Sequence, residues 1–243
     1  MTRSGSYAPT RSTRTHNRRA ILALTLATVL CAGAASGPAF AQQSIDKVNG
    51  SITAESGQRY GDLETVNGSI RLEDGASADE ASTVNGGIQG GDNVSARSLE
   101  TVNGGIRLGR KAKIDGNVET VNGSIYFDRG SVVRDDVSNV NGAIGLVGTE
   151  VGGNIETVAG DITVGADSHV KGRIHVEKPN RSGFNWNWKK QEPPRIVIGP
   201  NAVVDGPLVF EREVVLYVHA SARIGAVTGA TAKRYSGATP PAE

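Results

Sequence analysis

The chain has 243 residues, of which 5% are aromatic and 32 are glycine, so its interior must be built from Val, Ile, Leu and Ala rather than from a broad aromatic core. Its net charge is +1, yet five of the 26 basic residues lie in residues 1–41, which contain no acid, leaving 21 bases against 25 acids in the rest. A mildly acidic body lacks the basic stripe that nucleic-acid binding needs, so no nucleic-acid partner is expected.

Residues 1–41 read as a cleaved signal peptide. Arg3, Arg11, Arg14, Arg18 and Arg19 form a positive segment, Ala20 to Leu30 is apolar, and Ala39-Phe40-Ala41 is a small-x-small cleavage site before Gln42. Gly33, Gly37 and Pro38 interrupt the apolar stretch and leave it shorter than a bilayer-spanning helix. Arg18-Arg19 resembles a twin-arginine export signal. The single cysteine, Cys31, falls inside this segment, so the mature chain has no disulfide. The protein is expected to be exported, to the periplasm or the cell surface.

From Val48 onward one phrase returns. Thr65-Val66-Asn67-Gly68-Ser69-Ile70 is repeated with small changes from Thr83, Thr101, Thr120, Asn139 and Thr157, and its valines stand at 48, 66, 84, 102, 121, 140 and 158. Steps of 18 or 19 residues mean one supersecondary unit stacked on copies of itself. Within a unit, apolar residues recur at intervals of two, separated by intervals of three or four. From Val102 they fall at Ile106, Leu108, Ala112, Ile114, Val118 and Val121. Intervals of two are short strands and the longer ones are corners. The expected fold is all-β: a single-stranded parallel β-helix, a triangular solenoid of about nine coils, over residues 42–227. In this reading Val66 and its equivalents point inward, while Thr65 and Asn67 face out. The Asn-Gly step turns a corner, with glycine supplying positive φ. Asn49, Asn67, Asn85, Asn103, Asn122 and Asn141 are then placed to bond one another as an amide ladder.

Residues 177–195 interrupt the rhythm where a Thr-Val-Asn-Gly corner is due and should leave the solenoid as a side loop. Phe184, Trp186 and Trp188 alternate with asparagines and so share one face of an extended segment, flanked by Arg181, Lys189, Lys190 and Arg195. Such a surface suits sugar stacking, a membrane interface or a protein contact; equally, the aromatics fold back over the solenoid flank. This loop is the candidate binding site. Residues 228–243, rich in Gly, Ala, Thr, Ser and Pro, read as a flexible tail.

Catalytic signals are sparse. His169, His175 and His219 show no metal-ligand spacing on one element, and His175, between Ile174 and Val176, should point to solvent. Glu64, Glu100, Glu119 and Glu156 stand at the residue before each Thr, interrupted by Ser82 and Ser138, which makes a solvated, mutually repelling row rather than an acid–base pair. No catalytic, cofactor or metal residue is therefore assigned. A polysaccharide-active enzyme would require Asp161, His169, His175 and the loop to converge in one cleft.

The iterated Thr-Val-Asn-Gly-Ser/Gly-Ile phrase, over about Ser44 to Val227, resembles the adhesin-type repeat domains of bacterial envelope proteins. It is also similar to the bactofilins, which polymerise through a triangular β-helix. The first resemblance implies a non-enzymatic envelope module whose partners are cell-envelope polysaccharide or another envelope protein. The second implies an end-to-end homo-oligomer, although bactofilins lack a segment like Met1 to Ala41. Neither implies a cofactor.

Overall fold

The computed structural model describes residues 42–179 and 192–241. They form a parallel β-solenoid in which every strand pairs in register with its counterpart one coil away. The first face carries ten rungs, from Ile52–Ala54 to Ala232–Tyr235. The coil from Ile106 shows the basic unit: Ile106–Leu108 on the first face, Lys113–Ile114 on the second and Val118–Asn122 on the third. In the earlier coils the last two faces merge into single strands, Tyr60–Asn67, Ser77–Asn85 and Ser95–Asn103. One residue makes the difference. Two residues separate inward Ala96 from inward Leu99, but three separate their partners Ile114 and Val118, and the third breaks the strand into a corner.

The core is a stack of aliphatic columns. Ile52, Ile70, Ile88, Ile106, Ile125, Ile144, Ile162 and Ile196 form one unbroken column, each at most 1% exposed. The neighbouring column contains Leu72, Leu108, Phe127, Leu146 and Val164, with Gly90 among them, where a Cβ would meet the Leu108 and Val94 side chains. Burying such side chains in a dry channel contributes about 1.5–3 kcal/mol each, which outweighs their weak strand-to-strand preferences.

Three expectations about the solenoid itself need correction. The repeated valine is not inward: Thr65, Thr83, Thr101 and Thr120 are at most 4% exposed, whereas Val66, Val84, Val102 and Val121 are half-buried on the outer side and Val48 is 66% exposed. The inward pair on the third face is Leu99 with Thr101, two apart, and valine falls one residue out of phase. A one-residue shift moves a side chain to the opposite face. Threonine wins the inner place because it makes a bond that valine lacks. Its Oγ1 donates to the carbonyl of the corner glycine in the preceding coil: Thr65 to Gly50 at 3.0 Å, Thr83 to Gly68 at 2.8 Å, Thr101 to Gly86 at 2.8 Å and Thr120 to Gly104 at 3.0 Å. In the coil that has Asn139 instead, its Nδ2 donates to the Gly142 carbonyl at 2.7 Å.

The second correction concerns the corner glycines. Positive φ occurs at Gly50 and Gly142, but Gly68, Gly86, Gly104 and Gly123 adopt ordinary φ. What excludes a side chain at those four is proximity, since a Cβ would overlap the carbonyl oxygen of the glycine one coil earlier. The left-handed residues lie instead at the corner between the first and second faces, as Gly57, Gly75, Asn93, Lys111, Gly130, Gly148, Asp167 and Asn201. Asparagine and aspartate tolerate that conformation; Lys111 has no such excuse.

The third correction is to residues 228–243. Val227–Thr228 and Ala232–Tyr235 are strands, so the solenoid runs past 227 and has ten rungs on its first face rather than nine. Tyr235 packs with Val197 and Tyr217 in a small apolar cluster on the outer side of that face. The Pro241 carbonyl accepts a hydrogen bond from Arg195 Nη2 at 2.9 Å.

Candidate functional site

The six residues of the expected contact surface, Arg181, Phe184, Trp186, Trp188, Lys189 and Lys190, lie outside the described residues. The two roots of the insertion are described. The chain leaves the coil after strand Ile174–Val176 and re-enters at strand Arg195–Ile198, so Arg195 belongs to the solenoid rather than to the loop. Both roots are fastened. At the exit, Glu177 N donates to Thr157 O at 2.8 Å and Lys178 N to Glu211 Oε2 at 3.3 Å. At the return, Arg195 N donates to Asp161 Oδ1 at 2.8 Å and Val215 N to Pro194 O at 2.9 Å. Asp161 is the residue that replaces Ser or Gly in the last copy of the phrase. Its carboxylate satisfies the first amide of the returning strand, which explains why the phrase changes there. The Arg195 guanidinium lies over the Tyr217 ring, 5.1 Å from its centroid.

The exit root gathers several charged side chains around His175. Pairing in register puts His175 beside Glu156 on one side and Val209 on the other. His175 is on the outer face but only 8% exposed, contrary to the expectation that it points to solvent. Glu156, Glu177 and Glu211 surround it: Nε2 is 3.2 Å from Glu211 Oε1 and Nδ1 is 3.8 Å from Glu177 Oε1. Arg173 Nη2 pairs with Glu156 Oε1 at 2.7 Å. The Lys178 backbone N–H holds the Glu211 carboxyl below the usual carboxylate range, with the His175 hydrogen bond adding to it against partial burial. Ligand atoms of Glu156, His175 and Glu177 lie within 4.8 Å of one another. The signal for this cluster was present in the sequence as His175-x-Glu177 with a glutamate 19 residues before the histidine.

The remaining candidates do not converge. His169 is on the second face, its Nε2 2.7 Å from Asp205 Oδ2. His219 Nδ1 is 2.8 Å from Ser221 Oγ. Asp161, His169 and His175 thus occupy different sides of the coil, each with its own partner.

The acid row extends along the third face, where Asp46 pairs with Glu64 and Glu100 with Glu119. Burial against neighbouring strands raises the carboxyls of Glu64, Glu80, Glu100 and Glu119, and like charges raise them further: Asp46 at Glu64, Glu100 at Glu80, Glu119 at Glu100. At Glu119 a hydrogen bond from Asn117 partly offsets the rise. Beside this row runs a chain of amides. Nδ2 of Asn67, Asn85, Asn103, Asn122 and Asn141 each donates to the Oδ1 of the asparagine one coil earlier, at 2.9–3.1 Å. Each interior amide therefore spends one donor and one acceptor on its neighbours.

Comparison with protein-family models, with curated proteins and with solved structures returns no match.

Proposed function

We propose that this chain is an exported, non-enzymatic β-solenoid that serves as an envelope-associated binding or scaffolding module, making contact through the aromatic–basic insertion. The observation that carries this reading is the anchoring of both roots of the insertion to a rigid rod, by Glu211 and Thr157 at the exit and by Asp161 at the return. A segment held at both ends on a stiff support loses less entropy on binding than a free one. The resemblance of the repeats to adhesin-type envelope domains supports the same reading. The partner would be a cell-envelope polysaccharide or another envelope protein.

The test is replacement of Phe184, Trp186 and Trp188 together by Ala, followed by pull-down with isolated envelope and glycan fractions. Loss of capture with unchanged circular dichroism is the expected result. Full retention would remove the insertion from the binding role.

The bactofilin-like alternative, polymerisation end to end, is disfavoured by two charges. Lys47 pairs with Thr65 and so occupies the inward column of the first rung. Arg234 pairs with Val218 and occupies an inward column of the last. A cation in the core register of an edge strand would be buried without a counter-charge on stacking, a device that keeps edges from joining.

A further inference from the structure

We infer that Glu156, His175 and Glu177 form a binding site for one divalent transition-metal ion of the zinc type, at the point where the insertion leaves the solenoid.

Three observations carry the inference. First, the His175 side chain is 11% exposed, and its Nδ1 is itself buried and has no hydrogen-bond partner. An unpaired buried polar atom costs about 1–3 kcal/mol, so the fold retains it against a penalty. Second, the other ring nitrogen fixes what Nδ1 must be. Nε2 faces the Glu211 carboxylate at 3.2 Å, and a carboxylate only accepts, so Nε2 carries the proton. In the neutral imidazole Nδ1 then presents a lone pair. It presents it toward Glu177 Oε1, 3.8 Å away and also an acceptor. Two acceptors facing each other at that distance repel unless a positive charge lies between them, either a proton on Nδ1 or a metal ion, and the spectra below separate the two. Third, a second carboxylate, that of Glu156, closes the group, with all three ligand atoms within 4.8 Å.

The outer partner fits the same reading. A metal-bound histidine almost always donates its second N–H to a carboxylate, which sets the tautomer and increases the basicity of the ligating nitrogen. Glu211 is placed to do this, and the Lys178 amide in turn holds Glu211. Glu211 is a positioning residue, not a ligand. Arg173 opposes the site by pairing with Glu156 Oε1, so it competes with the metal for that carboxylate. One imidazole nitrogen with two carboxylates suits zinc better than calcium or magnesium, which take all-oxygen shells. The ion would tie strand Ile155–Thr157 to strand Ile174–Val176 and to the first residue of the insertion, clamping its exit root.

The site is tested by titrating the chelator-treated full chain with ZnCl2 in a calorimeter, with CaCl2 in parallel. One zinc per chain is expected and no comparable calcium binding. Glu177→Gln, isosteric and on the surface, should weaken zinc at least tenfold, His175→Ala should abolish it, and Glu211→Gln should weaken it about tenfold as an outer-sphere partner. His169→Ala should leave the affinity unchanged. Nitrogen-15 spectra of the imidazole rings should show His175 with Nε2 protonated and Nδ1 shifted by the metal. The inference is overturned if zinc does not bind, if calcium binds as well as zinc, if affinity follows His169 instead of His175 and Glu177, or if His175 remains a doubly protonated imidazolium under excess zinc.

Discussion

Thr83 Oγ1 donates to the carbonyl oxygen of Gly68 across 2.8 Å, joining the inside of one coil to the corner of the coil before it. The same bond recurs at Thr65, Thr101 and Thr120, so the repeated phrase carries both halves of an inter-coil lock: the donor of one copy meets the acceptor of the previous one. The lock ends at the insertion. Val176 and Phe210 occupy its place in the coils flanking the insertion.

The lock predicts an asymmetry between adjacent positions. Thr83→Val keeps the shape but leaves the part-buried Gly68 carbonyl without its donor, at a cost of about 1 kcal/mol. Val84→Ser, one residue on and half-exposed, should change stability by no more than about 0.5 kcal/mol. Urea unfolding of the two variants checks the order; equal losses would contradict it.

Corner geometry gives a second pair of predictions. Gly104→Ala introduces a Cβ into the Gly86 carbonyl and should cost about 1–3 kcal/mol or more through overpacking. Lys111→Gly should stabilise by about 1 kcal/mol, because Lys111 holds φ of 58° at a corner where glycine does so without strain. Thermal unfolding followed by circular dichroism should move in opposite directions for the two.

The acid row sets a pH dependence. Glu64, Glu80, Glu100 and Glu119 bind protons more tightly folded than unfolded, so their unfavourable contribution is fully present above their raised values and relieved as pH falls through them. Glu150 and Glu211 are lowered, Glu150 chiefly by the Lys171 ammonium, and their favourable contribution disappears only as pH falls below the ordinary 4.5. Tm should therefore rise as pH falls through the raised values toward 4.5 and decline in stronger acid. Glu100→Gln with Glu119→Gln should raise Tm at pH 7 and flatten the climb. Tm measured against pH for both proteins decides it.

Removing the terminal cations should create an assembling protein. Lys47→Thr with Arg234→Val completes the inner columns at both rims and is expected to give concentration-dependent association in light scattering, while the parent stays monodisperse. A parent that already forms filaments would refute the blunting role.

Much of the solenoid was legible because its spacing is simple arithmetic: strand intervals of two, corners of three or four, and copies every 18 or 19 residues. Which way Thr and Val face was not, since the two are isosteric and hydropathy alone favours burying valine. The clue lay two residues upstream, where Leu63, Ala81, Leu99 and Val118 share the inward phase with threonine. The tail was misread because its composition suggests a loop, whereas Tyr235 returns to a cluster with Val197 and Tyr217 that only the folded chain brings together. The surroundings of His175 were missed for a similar reason. Glu156 stands one coil away and was foreseeable from the period, but Glu211 comes from beyond the insertion, 36 residues on.

The inter-coil lock also makes length a free variable. Excising residues 84–101 would join Thr83 to Val102, set Asn103 upon Asn67 and present Gly68 with an unchanged donor, so the product would be the same rod shorter by one step of about 4.8 Å. Duplicating that block would lengthen it equally, with no new surface to invent. A gene built this way can adjust the reach of whatever the rod carries by copying 54 nucleotides.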